Sequence, residues 1–305
     1  MHAKKHTTML AFLLAGLVGL LLFAAPANAA RETVKLTYVE WSSEIASTNL
    51  VKAVLQQKMG YNCEIEAVNA EEMWRLVAEG EADAMVGAWL PGTHEHYKEK
   101  YGDRVKDLGP NLEGARIGLV VPDVTLGRQT AGTGLRNEPY IDAESIAELS
   151  EYADKFHYQI VGIDPGAGVM KKTKEAMEAY GLNNYELLTG SERTMTHALK
   201  QAITRHEWIV VTGWVPHWKF ARWELKFLKD PKNVFGGKEH INTVVRKGLE
   251  EDMPEVAQFL DNFHWSPQQM GQLMIWIHDD DGSFPYEKAL RYIRTHEEQV
   301  DSWIP

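Results

Sequence analysis

The chain has 305 residues, of which 44% are hydrophobic and 25% charged. This composition excludes collagen, coiled coil and intrinsic disorder and points to a packed globular protein of about two domains. With 32 Lys and Arg against 43 Asp and Glu, the formal charge is −11, and without a basic run the chain is a poor nucleic-acid binder, because phosphates demand clustered Lys and Arg. Its single cysteine, Cys63, can form neither an internal disulfide nor a Cys-based zinc site.

In chain order, residues 1–29 read first, as an export signal. Lys4 and Lys5 supply the positive end, Met9 to Ala25 the apolar core, and Ala27-Asn28-Ala29 a small-x-small cleavage site. No cysteine follows the apolar core, so a free periplasmic protein is expected, with no lipid anchor. Short β-branched runs then alternate with helical patterns. Strands are predicted at Val34–Val39, Cys63–Ala67, Ala84–Ala88, Arg116–Val121, Gln159–Ile163, Tyr185–Leu188, Trp208–Thr212 and Thr243–Arg246. Helices are predicted near 44–58, 70–79, 145–154, 168–180 and 191–205. Asn69 with Glu72, and Ser266-Pro267-Gln268-Gln269, read as helix starts. The tail from Pro285 to Ile304 reads as helix, with Tyr286, Leu290, Ile293 and Val300 on one stripe. Such alternation means βαβ units and an α/β fold of mostly parallel strands with helices on both faces.

Two stretches resemble each other. Ala84 to Pro91 and Trp208 to Pro216 each run through a buried strand to a small residue, Trp-x-Pro and then a histidine, His94 or His217. The likeness suggests two similar lobes, lobe A at 31–120 plus 238–305 and lobe B at 121–237. The crossings are expected at Pro122–Asn137 and at Gly236-Gly237.

In open α/β sheets, ligands bind beyond the carboxyl ends of strands. Trp41, Trp89 and Trp214 sit there, with His94 after Trp89 and a glycine turn, Asp164 to Met170, opening a helix. An indole face attracts a cation by about 0.5–1 kcal/mol when exposed and about 2 or more when desolvated. Three faces suit a quaternary ammonium, whose diffuse charge offers no N–H. The Gly168 and Val169 amides, at the positive end of a helix, suit an anion, and His94 can add a donor. Cage plus cradle describes a small zwitterion, a betaine. His94-Glu95-His96 lacks the i, i+4 spacing of a helical zinc site, the glycine turn lacks a full phosphate-binding motif, and no G-x-S-x-G occurs. The reading therefore calls for no metal, cofactor or catalytic residue. Trp218, Trp223, Trp265, Trp276 and Trp303 read as core or interface residues.

Four segments carry a family resemblance: Tyr38 to Thr48, Gly87 to His94, Ile163 to Met170 and Val211 to Trp218. Together with Asp261 to Trp265, they resemble the glycine betaine-binding proteins of ABC transporters over essentially the whole chain after the signal. The resemblance implies the type II periplasmic-binding-protein fold, with two α/β lobes, a two-segment hinge and a ligand trapped between them. It also implies an ammonium cage of Trp41, Trp89 and Trp214, with carboxylate contacts from Gly168, Val169 and His94. The implied partners are an ABC permease and its ATPase, so contact with the membrane would come only through the transporter. Some relatives carry the two halves in swapped order; here the Trp41 half comes first. A choline- or carnitine-binding protein of the same fold is the alternative, and a periplasmic enzyme acting on quaternary amines a more distant one.

Overall fold

The computed structural model describes residues 33–126 and 138–305. The export-signal expectation for residues 1–29, and the 127–137 part of the expected crossing, lie outside the described residues. The strands are β1 (Thr33–Tyr38), β2 (Asn62–Ala67), β3 (Ala84–Leu90), β4 (Val105–Pro122), β5 (Thr125–Leu126), β6 (Glu138–Pro139), β7 (Gln159–Val161), β8 (Glu186–Leu188), β9 (Val211–Val215), β10 (Leu225–Phe227) and β11 (Glu239–Arg246). The helices are α1 (Ser42–Gln57), α2 (Ala70–Glu79), α3 (Glu95–Tyr101), α4 (Gly168–Tyr180), α5 (Glu192–Arg205), α6 (Lys219–Arg222), α7 (Leu249–Asp252), α8 (Pro254–Asn262), α9 (Pro267–His278), α10 (Pro285–Thr295) and α11 (Glu297–Trp303).

Nine strands join in the order β2-β1-β3-β11-β4-β9-β7-β8, with β10 also on β4. The long β4 links the two ends of this arrangement. Val105 to Ala115 pair antiparallel with β11, and Arg116 to Val120 pair antiparallel with β9. On the first side, β1 is parallel to β2 and β3; on the second, β7 is parallel to β8 and β9. Among the described residues no helix is long and apolar enough to cross a membrane.

Local chemistry fixes the helix ends. The Asn69 side chain accepts from the Glu72 amide at 2.9 Å, and α2 stops at Gly80, whose φ of 73° is left-handed. Ser266 and Gln269 form a reciprocal capping box with Pro267 in the first turn of α9. Helix α1 packs against α9 and α10, burying Leu50, Val51, Val54 and Leu55. Cys63 is buried in β2 and unpaired.

Three expectations need correction. The helix expected at 145–154 is a short 3-10 turn, Ile146–Ser150; its apolar residues Ile146 and Leu149 recur every three residues, the period of a 3-10 turn. The tail is two helices, broken at His296. The strand expected at Trp208–Thr212 lies three residues further on, at Val211–Val215, which puts Trp214 inside the strand instead of beyond it.

Candidate ligand-binding site

Trp41, Trp89, Trp214, Gly168 and Val169 line one cleft, together with Thr93, Ile117, Ile163 and Ala167. It encloses about 300 Å³ of empty space, open solvent at its mouth included. The three indoles come from three chain segments. Trp41 caps the start of α1 in extended conformation, Trp89 lies near the end of β3, and Trp214 lies in β9 opposite Ile117 of β4. All three tryptophans are at least 93% withdrawn from solvent.

Carboxyl groups lie beside two of the rings. The Trp41 indole N–H donates to Asp164 Oδ2 at 2.9 Å, tying the β1–α1 loop to the loop after β7. Burial raises the Asp164 carboxyl, and the Trp41 bond opposes that rise. Behind Trp89 lies Glu44 of α1, fully buried; its Oε2 accepts the Val39 amide at 3.1 Å. Burial pushes the Glu44 acid up to about 8 against that hydrogen bond, with Asp164 adding to the rise. Gly87 leaves the room that Glu44 fills, since a Cβ there would lie 2.4 Å from the Glu44 carboxyl carbon.

The opposite wall is the start of α4. The Gly168 and Val169 amides belong to its first turn, where the helix itself offers no acceptor. Ala167 precedes them without a side-chain cap. A Cβ on Gly168 would stand 2.1 Å from the Thr93 carbonyl oxygen, so only glycine lets the Thr93 loop approach this close. Glu239 of β11 pins that loop, accepting from the Gly92 and Thr93 amides at 3.0 and 2.7 Å and from the Thr93 hydroxyl at 2.5 Å.

His94 directly follows Thr93 of the cleft lining. It is fully buried against Trp41, with ring centroids 6.3 Å apart. The Trp89 amide and the Trp74 indole N–H donate to its Nδ1 at 3.2 and 3.4 Å. The ring proton therefore resides on Nε2, which is buried without a hydrogen-bond partner among the described residues. Burial lowers the His94 imidazole to about 3, so the ring is a neutral donor at any physiological pH.

Sequence reasoning missed the side chains that bridge the cleft. The Ser42 amide donates to Glu192 Oε2 at 2.8 Å, and the Ser42 hydroxyl donates to Oε1 of the same carboxylate. The Trp218 indole N–H donates to the Ser42 hydroxyl at 3.0 Å, and Tyr97 donates to the Gly166 carbonyl at 2.8 Å. His217 Nε2 lies 2.9 Å from Glu192 Oε1. Burial raises the Glu192 acid, but His217 and Ser42 outweigh that and hold it below the usual carboxylate range. Ser42 and Glu192 are 150 residues apart, a pairing no local pattern reveals.

Two sets of strand ends facing one aromatic cleft define the type II periplasmic-binding-protein fold. The chain belongs to the family described as the substrate binding domain of ABC-type glycine betaine transport system, matched over residues 32–295. The crystal structure of lactococcal OpuAC, in its closed-liganded conformation complexed with glycine betaine, is 40% identical with a TM-score of 0.80, covering 90% of this chain and 100% of that one. The glycine betaine/L-proline-binding protein ProX from Borrelia burgdorferi is 38% identical with a TM-score of 0.82, covering 90% and 97%. The glycine betaine/carnitine transport binding protein GbuC of Listeria monocytogenes is 44% identical over 155 residues, or 50% of this chain. The match spans about half the length of that relative (51%).

Proposed function

We propose that this protein is the extracytoplasmic substrate-binding protein of an ABC importer, capturing glycine betaine or proline betaine between two lobes. The observation that carries the reading is the single cleft with three indoles on its walls and a helix N-terminus among them. Trp41, Trp89 and Trp214 form the cage for the quaternary ammonium. The Gly168 and Val169 amides take the carboxylate, and His94 donates its free Nε2–H to one oxygen. Charge-assisted hydrogen bonds of this kind contribute roughly 1.5–3 kcal/mol each. Choline would fill the cage and leave the amides without an anion, which favours a betaine.

Lobe A comprises 31–120 plus 238–305 and lobe B 121–237, with the chain crossing along β4 and again between β10 and β11. Ligand contacts on both walls stabilise the closed form, because closure alone satisfies cage and cradle together. The bonds from Trp41 to Asp164 and from Ser42 to Glu192 then act as a latch across the lobes. The closed form docks on a separate permease driven by a separate ATPase, and the ligand leaves unaltered. The protein reaches the periplasm through the export signal at residues 1–29.

The test is a thermal-shift panel on the purified protein with glycine betaine, proline betaine, choline, carnitine and proline. At ligand about 100-fold above Kd, linkage gives about 2.7 kcal/mol, a rise of roughly 5 °C or more for a protein of this size. The betaines should give the largest rise. Choline or carnitine shifting the transition further than either betaine overturns the assignment, as does ligand recovered chemically altered by mass spectrometry.

A further inference from the structure

Trp214 already carries a cation. Lys219, the first residue of α6, has no solvent exposure, and its Nζ lies 4.0 Å from the Trp214 ring centroid. The ammonium has no hydrogen-bond partner among the described residues, and its nearest other ring is Phe220, at 5.4 Å. Trp214 lines the cleft and Lys219 does not, so a buried ammonium sits against a cleft-lining ring without itself forming the wall. A buried lysine without an acceptor is costly to keep, and here the compensation is the π-face of a cleft-lining ring.

We infer that Lys219 tunes ligand affinity through Trp214, its charged form competing for that ring with a quaternary ammonium in the cleft. The inference rests on the cage proposed above. An indole shared by two cations binds each less well, because each polarises the ring against the other and the charges repel through it. At an effective dielectric of about 20, two unit charges held against one ring, about 8 Å apart or less, oppose each other by about ten-fold in affinity or more. The ligand therefore prefers the neutral amine, and binding expels the lysine proton.

Burial lowers the Lys219 amine to about 7, with Glu192 opposing the drop. The charged neighbours are few. Glu192 of α5 is occupied by Ser42 and His217. His217 accepts the Lys219 amide on Nδ1 at 3.0 Å and is itself lowered by burial and then by Lys219. From α9, His278 stacks on Trp218 at 3.6 Å; burial lowers it, Arg222 adds to the drop, Asp281 and Glu192 oppose it, and Lys200 of α5 adds last. Arg222 of α6 pairs with Asp279. Protonated Lys219 binds ligand more weakly, so affinity falls as pH drops below about 7 and levels off above it. Glu44 and Asp164 titrate near the cage with the same sign, so the lysine must be isolated by substitution.

The experiment is isothermal titration of glycine betaine into wild type, Lys219→Met and Glu44→Gln at pH 6.0 and 8.5. The methionine keeps the packing volume and removes the charge. Lys219→Met should bind about ten-fold more tightly than wild type at pH 6.0 and within two-fold of it at pH 8.5. At pH 7, titration in two buffers of different ionisation enthalpy should show proton release in wild type and Glu44→Gln, and less in Lys219→Met. Lys219→Met affinity equal to or weaker than wild type at pH 6.0, with proton release unchanged, overturns the inference while leaving the cage intact. Wild type that binds no betaine at either pH overturns both.

Discussion

The segments around Trp89 and Trp214 are the same local idea used twice, and they differ in what the histidine does. Each tryptophan lies on a buried strand next to an antiparallel partner, Trp89 opposite Ile241 and Trp214 opposite Ile117. Each is followed by a cis X-Pro peptide, Leu90–Pro91 or Val215–Pro216. In the first segment His94 comes five residues after the tryptophan, and its amide returns to the Trp89 carbonyl at 2.8 Å. That loop spends Nδ1 on its own strand and leaves Nε2 free. In the second, His217 comes three residues on; its Nδ1 accepts the Lys219 amide and its Nε2 stands 2.9 Å from the Glu192 carboxylate. Two residues of spacing separate a histidine with a donor to offer from one that holds the framework.

Substitutions can break this comparison, beginning with the rings the two segments share. Trp89→Ala and Trp214→Ala should each weaken glycine betaine binding at least ten-fold, since a desolvated cation–π contact of about 2 kcal/mol is worth about thirty-fold. Titration calorimetry showing unchanged affinity in either variant removes that ring from the cage. The histidines should then diverge. His94→Ala should cost about ten-fold for glycine betaine and little for choline, which has no carboxylate. His217→Ala should move both ligands together and lower the melting temperature by about 3–10 °C, because a buried carboxylate losing a donor costs about 1–3 kcal/mol. Matching ligand profiles for the two variants would mean that the histidines share one role.

How far this contrast could be read from sequence depends on the range of the interactions. The three indoles were legible because strand ends are local features and ligands gather there. The helix start at Gly168 was legible from its glycine turn, and the position of β3 from its run of apolar residues. The first half of β4 was not, because Gly109, Pro110 and Gly114 interrupt any local strand pattern. It is a strand because β11 pairs along it, with register shifts that absorb the irregularity and left-handed φ at Gly109 and Gly114. The carboxylates that set the site, Glu44, Asp164, Glu192 and Glu239, were invisible for a different reason. Three act on residues 123 to 150 positions away, and Glu44 matters only because Gly87 of another strand leaves room for it. A carboxylate in a helix pattern looks like solvated surface until the fold buries it.

The smallest effect separating the two histidines is in stability against pH. Burial is the main reason both fall below their ordinary value, His94 to about 3 and His217 to about 4. A histidine whose folded pKa lies below the unfolded value of about 6.5 contributes stability above that value and loses it as pH falls. The loss spans about 6.5 to 4 for His217 and continues to about 3 for His94, at roughly 1 kcal/mol per pH unit for each ring. Glu44 works the other way: raised to about 8 by burial, it favours the folded state at low pH and loses that contribution as pH rises from about 4.5 to 8. Among these three groups the slope between pH 4.5 and 6.5 is that of one histidine, upward with pH; His96 and His278, both lowered by burial, add to it, and Asp164, raised by burial, opposes it. Urea denaturation across this range should show Glu44→Gln with a steeper acid limb than wild type and His94→Asn with a shallower one. The two histidines part through Glu192, whose acid His217 helps to hold below the carboxylate range against burial: His217→Asn should flatten the acid limb further into the carboxylate range than His94→Asn, which removes only its own ring's contribution.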